Sequence, residues 1–238
     1  MSVGRFAWKD QHASLLSFAA DAYLNEAGIT SRLQPDEVSK LCNTASEPND
    51  TPGQDGLSDI DHFARFIRGT KAPARDLALA GSPAAMKGNK LFNKIGCAIC
   101  HVETLTTAPA GTKINGGTFV VPGALGSVTF HPYSDFLMHD VGTGDGILQA
   151  TREHYGGSVF QMMSGYLAKQ NFESSRNKIR TAPLWGVRLR SRLMHDGQSV
   201  TFRDTVRRHA GEATRVTQQF QKMKNNDQDA IIEFLKSL

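Results

Sequence analysis

No run of apolar residues in this 238-residue chain is long enough to cross a bilayer, which takes about 20. The opening Met1-Ser2-Val3-Gly4-Arg5 has no apolar stretch behind it, so no secretory leader is read there. Cysteine is scarce as well. Cys42, Cys97 and Cys100 are the whole set, too few for a disulfide framework. There is no second CxxC and no HxxxH at a usable spacing, which leaves a four-ligand zinc site incomplete. No internal repeat of useful length occurs. No nucleic-acid-binding motif accompanies the basic residues, which argues against a nucleic-acid partner.

What is present describes a loop-rich globular protein: hydrophobic residues make up 39%, charged residues 21%, and there are 22 glycines in a length that suits one or two domains. The most informative stretch is Cys97-Ala98-Ile99-Cys100-His101. Two thiols three apart and an adjacent imidazole are what covalent attachment of a c-type haem needs, with both vinyl groups becoming thioethers and His101 left under the iron. A thioredoxin-like redox pair would instead sit in a βαβ context, which this chain lacks. Once the haem has taken two thiols, Cys42 is left over in a polar segment, and no role is assigned to it. Such haems are attached outside the cytoplasm, so the missing leader is reconciled by an expectation that the chain is a piece of a longer periplasmic or otherwise extracytoplasmic protein.

The local patterns are helical. Ser82-Pro83 is a cap with proline at the first helical position, and Ala84, Gly88, Leu91, Phe92 and Ile95 follow at helical spacing into the motif. Gly88 on that apolar face would admit another helix closely. The partner is expected at the other terminus, where Asn226 or Asp227 caps a helix carrying Ile231, Phe234, Leu235 and Leu238. A first helix is expected from about His12 to Ala27, stopped by Gly28. Another follows Ser58, with Asp61 at capping-box spacing and Gly69 closing it. From Thr30 to Gly56 the chain is polar and broken by Pro35, Pro48 and Pro52. From Val102 to Gly157 it is rich in Gly, Thr and Val, with strand-like pieces at 118–121 and 127–130 that build no large sheet. The run Val141-Gly142-Thr143-Gly144-Asp145-Gly146 has only a superficial likeness to a nucleotide loop. The fold class is therefore mainly α: a cytochrome c-like haem domain with a long irregular Gly-rich insertion.

What fills the second axial position of an iron held by His101 decides between electron transfer and chemistry. Candidates are Met138, Met162, Met163, Met194, His139, His195 and His209. His209 has the best local credentials: Thr201 caps a short helix with Asp204 at the box position, and Phe202, Val206 and His209 share one face. Basic residues crowd nearby. Arg176, Lys178, Arg180, Arg188, Arg190, Arg192, Arg203, Arg207, Arg208 and Arg215 face only Asp196, Asp204 and Glu212. Such a run is a solvated face, a set of partners for haem propionates, or a field that steers an acidic redox partner.

Taken together, Gly88 with Leu91-Phe92, the 97–101 motif, Tyr133-Ser134-Asp135 with His139-Asp140, Arg180-Thr181-Ala182-Pro183-Leu184-Trp185-Gly186, His195-Asp196-Gly197 and His209-Ala210-Gly211-Glu212-Ala213 resemble the di-haem oxidoreductases sometimes labelled thiol oxidoreductases. These are distant relatives of the bacterial di-haem cytochrome c peroxidases and of MauG. In the peroxidases a methionine fourteen residues after an HDG motif holds the electron-accepting haem. The same step from His195 reaches His209, so the resemblance implies bis-histidine ligation and a lower potential. It also nominates Trp8 as an inter-haem electron relay and Glu26 as the acid that manages peroxide protons. Calcium, bound in the peroxidases through carbonyls ahead of HDG, is disfavoured because Arg190 and Arg192 occupy those positions.

The resemblance implies that residues 1–80 join two haem domains and that 81–238 form the carboxy-terminal one, matching the electron-transfer half of a di-haem peroxidase-like enzyme. One haem c per chain, a redox partner protein, and hydrogen peroxide in the parent enzyme go with that reading. The alternative is a stand-alone mono-haem electron carrier without catalysis. A third reading is a haem-free protein whose cysteines bind metal or do thiol chemistry.

Overall fold

Ser14 stops the irregular amino-terminal stretch: its side chain accepts a hydrogen bond from Ser17 N, and helix α1 (Leu15–Ala27) begins behind it. This is three residues later than the apolar pattern suggests, because the seryl cap, not the first apolar contact, fixes the start. Gly28 ends α1 in the left-handed region, φ 67°. The computed structural model describes residues 3–37, 48–147 and 175–238. Cys42, Met162 and Met163 lie outside the described residues.

The chain divides into two compact units, the first holding the described residues up to Lys71 and the second those from Ala72 onward. In the first, α1 packs on α2 (Asp59–Gly69) through Ala19, Ala20 and Ile60, all buried. Asp50, itself buried, turns its carboxylate onto the first backbone N–H groups of α2, Asp59 at 2.8 Å and Ile60 at 3.3 Å. Asp61 accepts from Ser58 N at 3.1 Å and from both ends of the Arg32 guanidinium at 2.8 Å. The hydrogen bonds from Arg32 hold the Asp61 carboxyl at about 2 despite partial burial. A depressed carboxyl stabilises the fold above its unfolded value and loses that contribution as pH falls through the folded one. Wild-type protein is therefore expected to lose stability between about pH 4 and pH 2 in a step that Arg32→Gln diminishes, as followed by thermal melts across that range.

The second unit is built on one helix crossing. Ser82 caps α4 (Pro83–Ile95) by accepting from Ala85 N, proline sits at its start, and Gly96 closes it in the left-handed region. Before it lies the single turn α3 (Leu77–Ala80). The last helix, α7 (Asn225–Lys236), lies across α4 where Gly88 has no side chain: a Cβ there would come within 1.9 Å of Ala230 O and 2.9 Å of Phe234 Cβ. Neither Asn226 nor Asp227 caps α7. Lys224 occupies the cap position without a side-chain bond, and Asp227 lies in the first turn, paired with Lys87 at 2.5 Å. Phe92, Ile95, Tyr133, Phe220, Ile231, Phe234, Leu235 and Leu238 form the core around the crossing.

Two shorter helices, α5 (Phe202–Arg208) and α6 (Thr214–Lys222), complete this unit. Between α4 and α5 the described chain is irregular, apart from short 3-10 turns and three two-residue antiparallel ladders: β1 (Leu105–Thr106) with β4 (Thr129–Phe130), β2 (Lys113–Ile114) with β3 (Phe119–Val120), and β5 (Met138–His139) with β6 (Ile179–Arg180). The fold is mainly α with a long irregular segment, as the sequence suggests. No helix among the described residues is long and apolar enough to cross a membrane.

Candidate functional site

Gly96 ends α4 and the chain tightens into one 3-10 turn, Cys97–Ile99, so that His101 N donates to Cys97 O at 3.0 Å. This turn puts both sulfurs and the imidazole at the end of α4. The His101 ring lies 6.1 Å from Phe92, and its Nδ1 is 2.9 Å from Tyr133 O. Tyr133 presents that carbonyl from a left-handed backbone, φ 51°. Its neighbours secure the turn: Ser134 N donates to Val102 O, Asp135 N to Cys100 O, and Ser134 Oγ to Thr181 O. The phenol is fixed too, donating to Glu103 at 2.9 Å beneath the Arg75 guanidinium.

Thr201 caps α5 by accepting from Asp204 N, as the sequence suggests, but the helix ends at Arg208 and His209 is the C-cap residue. The ring still turns inward, because Nδ1 lies 2.8 Å from Thr205 O, one helical turn back. Thr217 Oγ1 in α6 donates to His209 O at 2.7 Å. His101 and His209 are therefore oriented the same way. Each offers Nδ1–H to a backbone carbonyl, and among the described residues neither Nε2 has a hydrogen-bond partner. Burial pushes His101 down to about 4, and the nearby His209 contributes to that shift. Burial also pushes His209 down, helped by Arg208. Neutral imidazoles with Nδ1 anchored and Nε2 free are what a metal needs from histidine.

The thiols are held protonated. Burial pushes Cys97 up to about 12 and raises Cys100 as well, where Asp135 and Glu212 add to the effect. Thiol redox chemistry of the CxxC kind depends on a stabilised thiolate, the opposite condition. One further grouping escaped sequence reasoning: Cys100, Asp135 and His139 offer ligand atoms within 4.8 Å of one another. Both nitrogens of His139 are already engaged there, Nε2 with Asp135 at 2.8 Å and Nδ1 with Glu212 at 2.9 Å. That occupancy sets His139 apart from His209 as an axial candidate.

Residues 1–238 match the family described as di-haem oxidoreductase, putative peroxidase. The chain belongs to the di-haem oxidoreductase family. No curated protein matches it. Among solved structures it is similar to hydrazine synthase of Kuenenia stuttgartiensis, with 20% identity and a TM-score of 0.44 over 81% of this chain and 57% of that one.

Of the residues that the sequence nominates, Cys97, Cys100, His101 and His209 all fall in the second unit of this di-haem oxidoreductase chain. Trp8 and Glu26 belong to the first unit, Trp8 47% exposed and Glu26 exposed at the end of α1. The basic run is spread over several tasks. Arg188 donates to Leu238 O and Ala74 O, Arg203 pairs with Asp229, Arg208 pairs with Asp196, and Arg190, Arg192, Arg207 and Arg215 are exposed. The residues missed in the sequence are Thr205 and Glu212 in their roles as partners, together with the Tyr133 carbonyl. Backbone acceptors leave no signal in residue type.

Proposed function

We propose that the second unit is a c-type haem electron-transfer domain, tethered through Cys97 and Cys100, with His101 and His209 as axial ligands, which passes electrons from a donor protein towards a catalytic haem outside this chain. What supports this reading is the pair of anchored, neutral imidazoles beside the two motif thiols in a member of a haem oxidoreductase family. When bound, a haem held by two imidazoles supplies one-electron transfer and no open position for peroxide. The chain's own part is to fix both rings through Tyr133 O and Thr205 O and to keep them deprotonated. Packing around the site is supplied by Phe92 and the α4–α7 crossing. Trp8 as relay and Glu26 as proton handler rest on the family resemblance, as do peroxide as the parent enzyme's substrate and an extracytoplasmic location.

The test is maturation of the chain in a host that attaches c-type haem, followed by intact mass and a pyridine haemochrome spectrum. One covalent haem per chain is expected, together with no peroxide turnover by this chain alone when given a reduced donor. A colourless product whose Cys97 and Cys100 both react with an alkylating reagent would overturn the reading.

A further inference from the structure

The segment after His209 is fastened at one place. Ala210 N donates to Val141 O and Glu212 N to Asp140 O, both at 2.8 Å, and Glu212 Oε1 accepts from Asp140 N at 3.0 Å. The approach is tight enough that a Cβ on Gly211 would come within 2.4 Å of Asp140 O, and one on Gly142 within 2.6 Å of Ala210 Cβ. Between these strands of chain lies the His139 ring, 19% exposed, with Glu212 on Nδ1 and Asp135 on Nε2. Asp135 is itself bonded through its backbone to Cys100 O and follows the Tyr133 carbonyl that orients His101. One ring thus ties the segment that sets the proximal histidine to the segment that carries the distal one.

We propose that His139 is a positioning residue, a buckle that fixes His209 against the proximal side of the site by clasping Asp135 and Glu212 together. The inference rests on the haem reading of His101 and His209. Two carboxylates on two ring nitrogens call for the imidazolium. Burial lowers the affinity of the His139 ring for its proton, but the bonds to Glu212 and Asp135 outweigh it and the net shift is upward. The other groups around it are Lys178, 3.9 Å from Glu212 on the chain segment paired with β5, Asp140 beside it in sequence, and Cys100 and His101 on the motif side. Because its folded value is raised, His139 fastens the segment below that value, while its two carboxylates stay ionised, and releases it as pH rises through it.

The experiment uses the matured chain and its His139→Gln and Glu212→Gln variants, with two readings: hydrogen exchange at the amides of Ala210 and Glu212, and the pH at which distal ligation is lost in the absorption spectrum. Exchange at neutral pH is expected to quicken roughly ten-fold in both variants, the cost of about one charge-assisted hydrogen bond. Wild type should approach the variants' exchange level only as pH rises through the raised His139 value, and ligation should be lost at a pH lower by at least about one unit in the variants. Melting temperatures of both variants establish that they are folded. If exchange and the ligation profile are unchanged in both while His209→Ala still abolishes the low-spin spectrum, the buckle is wrong and the haem reading stands. If His209→Ala leaves that spectrum unchanged, the ligand assignment falls and the buckle with it.

Discussion

Replacing His209 with alanine is expected to abolish the low-spin absorption spectrum of the matured chain and leave a high-spin species, with the haem still attached through its thioethers. Among the described residues its Nε2 has no hydrogen-bond partner, while Nδ1 is committed to Thr205 O and the backbone carbonyl to Thr217. His139, which also lies near His101, has both nitrogens engaged by carboxylates and is not free to replace it. His209→Met is expected to keep the low-spin spectrum and raise the reduction potential, since a thioether favours ferrous iron more than an imidazole does. Spectroscopy across the three proteins, with a redox titration of the two low-spin ones, checks both outcomes. A low-spin spectrum that survives in His209→Ala would place the distal ligand elsewhere.

Gly88→Ala is expected to destabilise the second unit by about 3 kcal/mol, although alanine is the better helix former by up to about 1 kcal/mol. The methyl would have to occupy a point 1.9 Å from the Ala230 carbonyl oxygen and 2.5 Å from its carbon. Backbone atoms at that distance cannot move aside as a side chain can, so the helices must separate along their crossing. Phe92, Phe234 and Ile231 would lose contact together. A fall in melting temperature of roughly 6–12 °C corresponds to that loss. Ala230→Gly should not restore it, because the obstacle is main chain. An unchanged melting temperature in Gly88→Ala would mean that the crossing is looser than the core implies.

The helix crossing was legible because its signals are local. Ser82-Pro83 and the spacing through Ile95 mark α4, and a glycine on the apolar face of one helix implies a close neighbour. The start of α7 was less so. Asn226 and Asp227 have the chemistry of caps, yet Asp227 is drawn to Lys87 on the other helix, and the turn begins earlier at Asn225. His209 was placed on the face of α5 by periodicity and lies instead just past its end. The ring points inward all the same, since a single bond to Thr205 O does what the helical repeat was expected to do. The left-handed turns at Tyr133, Phe136 and Met194 carry no glycine to announce them. The pairing of Glu212 with His139 joins residues from distant parts of the chain, and periodicity says nothing about such pairs.

Because α4 packs mainly on α7, the interior of the second unit closes only once that helix has been made. Contacts between the two ends of a unit form late, after the intervening loop has been gathered in. Until then Cys97 and Cys100 stand at the end of a helix across which the last one has not yet been laid. On the proposed haem reading, the order in which the polypeptide emerges would set a window for covalent loading that shuts when the carboxy-terminal helix docks.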